Sequence, residues 1–121
     1  MKILRKIGFF RETAYKNERD DSLFDSVGKL GLEDRVKIVE YLSNGKPLVF
    51  SVHHVYDVIS KDRRVIGTLG IFTDGTWAWP TDLSYYVDKY NVSLPNEFVS
   101  HMRNHDWKIG AFQIDEVALQ N

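Results

Sequence analysis

The sequence predicts one α+β domain spanning residues 1–121, with helices packed on a mainly antiparallel sheet that contains a central hairpin. Three observations predict it. Asp74-Gly75 between two apolar runs is the strongest short hairpin signal a sequence carries. Segments of helical periodicity stand apart from segments rich in β-branched and aromatic residues. A chain of 121 residues, 43% of them hydrophobic, has the material for one core and one domain.

Ile3 to Phe10 reads as a strand, which makes Lys2, Arg5, Lys6 and Arg11 solvated charges of that strand. Glu12 to Asp21 is polar without a period and reads as an exposed loop. Ser22 to Val27 begins a short helix that stops at Gly28, with Asp20 or Asp21 as its cap. Gly31 to Gly45 is the clearest helix. Leu32, Val36, Val39 and Leu42 recur on one face, Glu33 and Asp34 complement the macrodipole, and Gly45 suits a left-handed final residue. Pro47 to His53 is the next strand, which Val55 to Ile59 either continues or leaves. Lys61 to Arg64 is a charged turn before a strand from Val65 to Phe72. Helices follow at Asp82 to Tyr90 and from Pro95 to about Asn104, and Trp107 to Leu119 holds a last strand.

The stretch Thr73-Asp74-Gly75-Thr76-Trp77-Ala78-Trp79-Pro80-Thr81-Asp82-Leu83 carries the most structural information. A two-residue type I′ turn at Asp74-Gly75 places Thr73 opposite Thr76, Phe72 opposite Trp77, Ile71 opposite Ala78 and Gly70 opposite Trp79. Phe72, Trp77 and Trp79 then share a face, with Gly70 leaving room beneath the second indole, while Ile71 and Ala78 take the other face. Pro80 ends the strand and the Thr81 hydroxyl caps the next helix. In that helix Leu83, Tyr86, Val87 and Tyr90 point inward and Tyr85, Asp88 and Lys89 outward; Phe98, Val99 and Met102 form the buried face of the following one.

Composition excludes several classes of function. Sixteen Lys+Arg against seventeen Asp+Glu leave a formal charge of -1, without the basic footprint of a nucleic-acid binder. There is no cysteine, so disulfides, thiolate zinc sites and a cysteine nucleophile are ruled out. Charge interrupts the N-terminal apolar residues, unlike a signal peptide, and no apolar run reaches membrane-spanning length, so the cytoplasm is the expected location. Neither a nucleophile elbow nor a phosphate-binding glycine loop is present. His101 and His105 have the helical spacing of two zinc ligands, but Met102 stands where a metalloprotease carries glutamate, and Asp106 or His53 would have to complete the set. His53 and His54 point to opposite faces of a strand, and one of them can do acid–base work if Asp57 or Asp74 comes within reach. No catalytic residue, metal or cofactor is expected on these grounds.

Charge is unevenly distributed. From Asp74 onward seven acids face three bases, and Asp20, Asp21 and Asp25 form a second acidic cluster. Ile7-Gly8-Phe9-Phe10-Arg11-Glu12, Leu32-Glu33-Asp34-Arg35, and above all the stretch from Thr73 through Tyr85-Tyr86-Val87 and Tyr90 to Leu94-Pro95-Asn96-Glu97-Phe98 resemble small bacterial proteins akin to the immunity proteins of contact-dependent growth inhibition and related polymorphic-toxin systems. The resemblance implies a cytoplasmic protein that binds the C-terminal domain of a cognate toxin and blocks it by covering its active site or substrate groove. It supplies no catalytic residue. A nuclease toxin with a basic groove would complement an acidic, tyrosine-bearing surface, which places the expected contact on Asp20, Asp21, Asp25, Asp82, Tyr85 and Asp88. Two other classes stay open: a small enzyme or ligand-binding domain using His53, Asp74 and the tryptophan face as a pocket wall, and a self-assembling adaptor.

Overall fold

The computed structural model describes residues 1–13, 15, 20–31 and 33–119. Leu32, expected on a helix face, and Ala14 with residues 16–19 of the expected loop lie outside the described residues. The chain runs β1 (Lys2–Lys6), α1 (Leu23–Ser26), α2 (Arg35–Ser43), β2 (Lys46–Tyr56), β3 (Val65–Thr73), β4 (Trp77–Pro80), α3 (Leu83–Tyr90), α4 (Asn96–Asn104), a 3-10 turn (Ile114–Glu116) and β5 (Val117–Leu119).

The α+β class and the central hairpin are as expected, but the sheet is mixed. Its strand order is β2-β3-β4-β1-β5. β2/β3 and β3/β4 are antiparallel, whereas β1 lies parallel to both β4 and β5. Parallel neighbours need long crossovers. Here α1, α2, β2 and β3 separate β1 from β4, so the first strand returns to the sheet centre only through the rest of the fold.

The tryptophan hairpin keeps its expected faces in a different register. Thr73 pairs with Ala78, Phe72 with Trp79 and Ile71 with Pro80. Side chains have displaced the two-residue turn. Asp74 Oδ1 accepts from the Thr76 and Trp77 amides at 2.9 and 2.7 Å, and Thr73 Oγ1 accepts from the Gly75 amide and donates to Trp77 O at 2.7 Å. Only Gly75 in this turn has positive φ, at 96°, so a type I′ geometry is excluded. A slip of two preserves the faces because strand side chains alternate with period two. Trp77 and Trp79 lie in the main core with Phe72 against it, and Ile71 and Ala78 lie in the small cluster on the other face.

Glycine makes room for the Trp79 indole, but the residue is Gly45 and not Gly70. A Cβ on Gly45 would come within 2.7 Å of Trp79 Cζ2 and 2.6 Å of Phe72 Cβ, whereas one on Gly70 would strike Val49 O and the Phe50 ring. Close approach, and not a left-handed end to α2, is what Gly45 serves; that helix ends on Asn44 at φ -98°. The inward face of α2 keeps Leu42, with Val39 packed against the core, as expected, but Ile38 and Tyr41 are buried beside them and Val36 is 73% exposed. The Thr81 hydroxyl donates to Thr68 O instead of capping α3. At α1, Glu12 takes the role expected of Asp20 or Asp21, its Oε1 accepting from the Leu23 amide at 2.6 Å.

The helices cover one face of the sheet. Ile38, Leu42, Leu83, Val87, Phe98 and Met102 bury against Trp77 and Trp79. Across the sheet, Leu4, Phe9, Ile71, Ala78 and Val117 make a smaller core under loops. β2 forms one edge of the sheet, so among the described residues one side of its backbone has no neighbouring strand.

Candidate functional site

Three carboxylates that the fold takes out of water organise the polar interior, and each has a different environment. Asp74, at the hairpin turn, is the first. Beyond its two backbone donors, its Oδ2 accepts from the Tyr41 hydroxyl of α2 at 2.5 Å and from His101 Nε2 of α4 at 3.0 Å. Burial and the neighbouring carboxylate both push the Tyr41 hydroxyl upward, which keeps it a donor. The carboxylate thus ties one turn to two helices. The carboxylate neighbour anticipated for His53 or His54 belongs to His101 instead, because α4 crosses the hairpin while His53 and His54 lie exposed on β2.

Asp57 is the second. It is fully buried where β2 leaves the sheet. Its Oδ1 accepts from the Ile59 and Ser60 amides at 2.8 Å each, and its Oδ2 from the Tyr85 and Tyr90 hydroxyls at 2.6 and 2.7 Å, with Lys89 Nζ at 3.8 Å. Burial pushes this carboxyl up, but the hydrogen bonds from Tyr85, Ser60, Tyr90 and Ile59 outweigh it and hold the group at about 2.

Asp82, just before α3, is the third and stands in contrast. It was expected on the surface, but it is only 7% exposed, because Leu83 and Gly8 interlock beside it and draw the start of α3 onto the sheet. Among the described residues only its own backbone N–H helps the carboxylate, and burial pushes it up to about 6. A folded-state value above the unfolded one contributes stability below about pH 4 that is lost as pH rises through about 6. Asp82→Asn is therefore expected to stabilise the fold at pH 7 by about 2 kcal/mol, with little change at pH 4. Urea unfolding at the two pH values measures this; an Asn variant less stable than wild type at pH 7 would contradict it.

The other anticipated contact residues divide between neighbourhoods. Asp20 and Asp21 line a hollow of about 340 Å³ with Lys6, Ser26 and Ser93. Burial and the adjacent Asp21 push the Asp20 carboxyl up, and Lys6 pulls it back. Asp25 is exposed on α1. Tyr85 is half-buried on Asp57, and Asp88 is exposed and paired with Arg35 of α2 at 3.3 Å. The rings of His101 and His105 lie 4.4 Å apart, but Asp74 occupies His101 Nε2, and His105 Nδ1 donates to His101 O. Among the described residues no group of three or more histidine and acidic side chains is placed to hold a metal ion. The tryptophan face is interior. Trp79 has no exposure and donates from Nε1 to Leu42 O at 3.0 Å, while Trp77 borders an open hollow beside Arg5, whose guanidinium lies 4.1 Å from the ring centroid.

The β2 edge was missing from the expected site. Phe50 pairs with Gly70 and His54 with Thr68, so Ser51, Val52 and His53 stand opposite Leu69 alone. This bulge, braced by the His53 amide on Ser51 Oγ at 3.2 Å, projects Val52 at 90% exposure beside Phe50 at 58%. Val49, Tyr56 and Val65 are exposed on the same pair of strands. An apolar run reads as a buried strand from sequence, and only the position at the sheet edge reveals otherwise.

No protein-family model, curated protein or solved structure matches the chain. No helix among the described residues is long and apolar enough to cross a membrane.

Proposed function

We propose that the chain is an immunity protein that binds the C-terminal domain of a cognate toxin, a nuclease, in the cytoplasm and occludes its active site or substrate groove, with no reaction of its own. The observation that carries this reading is the β2 edge, where Phe50, Val52 and Tyr56 stand in water on a bulged strand with one side unpaired. Exposed apolar side chains along an unpaired edge strand of this kind suit a contact surface. The resemblance of the Thr73 to Phe98 stretch to immunity proteins supplies the class of partner. Asp20, Asp21, Asp25 and Asp88 add the negative field that steers a basic partner, and Asp74 and Asp57 spend their hydrogen bonds on holding the scaffold.

Calorimetric titration with the C-terminal domain of the product of the neighbouring gene, the expected toxin, tests the reading. A one-to-one complex is expected. Val52→Asp with Phe50→Ser should weaken it at least about 100-fold without lowering the melting temperature, as loss of an anchor does. Asp88→Lys should slow association about tenfold at low salt and leave dissociation nearly unchanged. Full affinity in the double variant would remove β2 from the interface. The Asp74–His101 pair beside an open hollow favours a second reading, an enzyme, which predicts turnover that His101→Ala abolishes while the fold survives. Self-assembly through β2 predicts instead a sedimentation mass above the monomer.

A further inference from the structure

Between the β2 edge and the start of α3 lies a cavity of about 130 Å³, walled by Glu12, Thr13, His54, Val55, Tyr56, Val58, Arg63 and Asp82. Its volume is well below the roughly 300–1,000 Å³ of small-molecule sites, and above the roughly 30 Å³ share of one water. That leaves room for the head of a single side chain. Its walls are of two kinds. Val55, Val58 and Tyr56 offer apolar surface for a methylene stem, and Asp82 offers a carboxylate that is more than nine-tenths buried and takes no bond from another described residue. A buried carboxylate left in this condition costs stability, whereas Asp57, four hydrogen bonds away from the same problem, shows how this fold satisfies one when it needs to. Two of the wall residues, His54 and Tyr56, belong to β2, directly after the bulge that projects Val52.

We propose that this cavity receives one cationic side chain, arginine or lysine, of a protein docked on β2, with Asp82 as its counter-charge. The assignment of a protein source rests on the docking reading given above; the cation chemistry rests on the cavity alone. Glu12 at the wall is already taken up by Arg11, the Ser22 hydroxyl and the Leu23 amide, Arg63 opposes entry, and His54 is a further ionisable side chain there. Tyr15 and Tyr86 are the other titratable groups that feel Asp82. Insertion of a cation replaces the solvent Asp82 has lost, so binding draws a proton from it and strengthens as pH rises through about 6.

The experiment follows the Asp82 side-chain carboxyl carbon by NMR in the whole chain, titrated with acetyl-arginine-methylamide, acetyl-lysine-methylamide and the neutral isostere acetyl-citrulline-methylamide. The expected result is an Asp82 midpoint near pH 6 that falls by one unit or more with either cation and does not move with citrulline, together with loss of the arginine-induced amide shifts at His54, Tyr56 and Val58 in Asp82→Asn. An equal response to citrulline overturns the proposal. A midpoint already in the ordinary carboxylate range, restored upward by Lys16→Ala, Arg19→Ala or Arg63→Ala, also overturns it, since the cation is then the chain's own. Binding of free L-arginine that the capped residue cannot reproduce assigns the cavity to a small metabolite and contradicts a protein source. These probes need no toxin, so their failure leaves the β2 interface standing, and a toxin that does not bind leaves the cavity result standing.

Discussion

Asp74→Ala is expected to remove about 3–5 kcal/mol of folding stability. A domain of this size holds about 5–15 kcal/mol in all, so the variant should be close to unfolding at 37 °C. The reason is the number of groups that lose their partner together. The Thr76 and Trp77 amides, the Tyr41 hydroxyl and His101 Nε2 all donate to one carboxylate, and the two side-chain donors come from different helices. Asp74→Asn separates the contributions. Its amide oxygen still accepts from the two backbone donors and keeps the turn, while its NH2 faces the Tyr41 hydroxyl and His101, so an intermediate loss of about 1–3 kcal/mol is expected. Urea unfolding of both variants provides the check. An alanine variant within about 1 kcal/mol of wild type would show that the turn, and not the carboxylate, holds α2 and α4 in place.

Trp79→Ala is expected to cost about 3–5 kcal/mol, here through lost volume. The indole has no exposure and packs against Tyr41 and Phe98 at centroid distances of 6.0 and 5.6 Å, in a space that Gly45 leaves open. Three elements meet on it, so the surrounding structure has little freedom to collapse into the gap. Trp79→Phe keeps most of the apolar contact but leaves Leu42 O without the Nε1–H donor, and should cost about 1–3 kcal/mol. Loss of near-ultraviolet circular dichroism well below the wild-type unfolding midpoint in the alanine variant is the expected observation. A midpoint equal to wild type would mean that Phe72, Tyr41 and Phe98 repack around the void.

How much was legible in the sequence follows from how local each determinant is. Strand alternation fixes which side of the hairpin Phe72, Trp77 and Trp79 take, and a two-residue error in register leaves it untouched. The register itself depends on Thr73 and Asp74 side chains bonding the turn, a competition that the Asp-Gly signal does not disclose. On α2 the stripe held at Leu42 and Val39 but not at Val36, because helical spacing admits Ile38 and Tyr41 beside Leu42 equally well; tyrosine is inward here because Asp74 receives its hydroxyl. Acidic residues look alike in a sequence. Asp88 is exposed beside Arg35, Asp57 is buried among four donors and Asp82 is buried nearly alone, and what separates them is the tertiary neighbours each one meets. The meeting of Asp74 with His101, 27 residues on, depends on α4 crossing the hairpin. Likewise the exposure of Phe50 and Val52 depends on β2 ending at the sheet edge, and no local pattern records a strand's place in the order.

The most direct test of the account is protection in a growing cell. The C-terminal domain of the product of the adjacent upstream gene, the toxin under the proposed reading, is induced in a sensitive bacterium with wild-type protein, with the Val52→Asp and Phe50→Ser double variant, or with neither. The account predicts that growth stops without the protein, resumes with wild type, and stops again with the double variant present at wild-type abundance. Growth that wild type fails to restore, or that the double variant restores as well as wild type does, would contradict it.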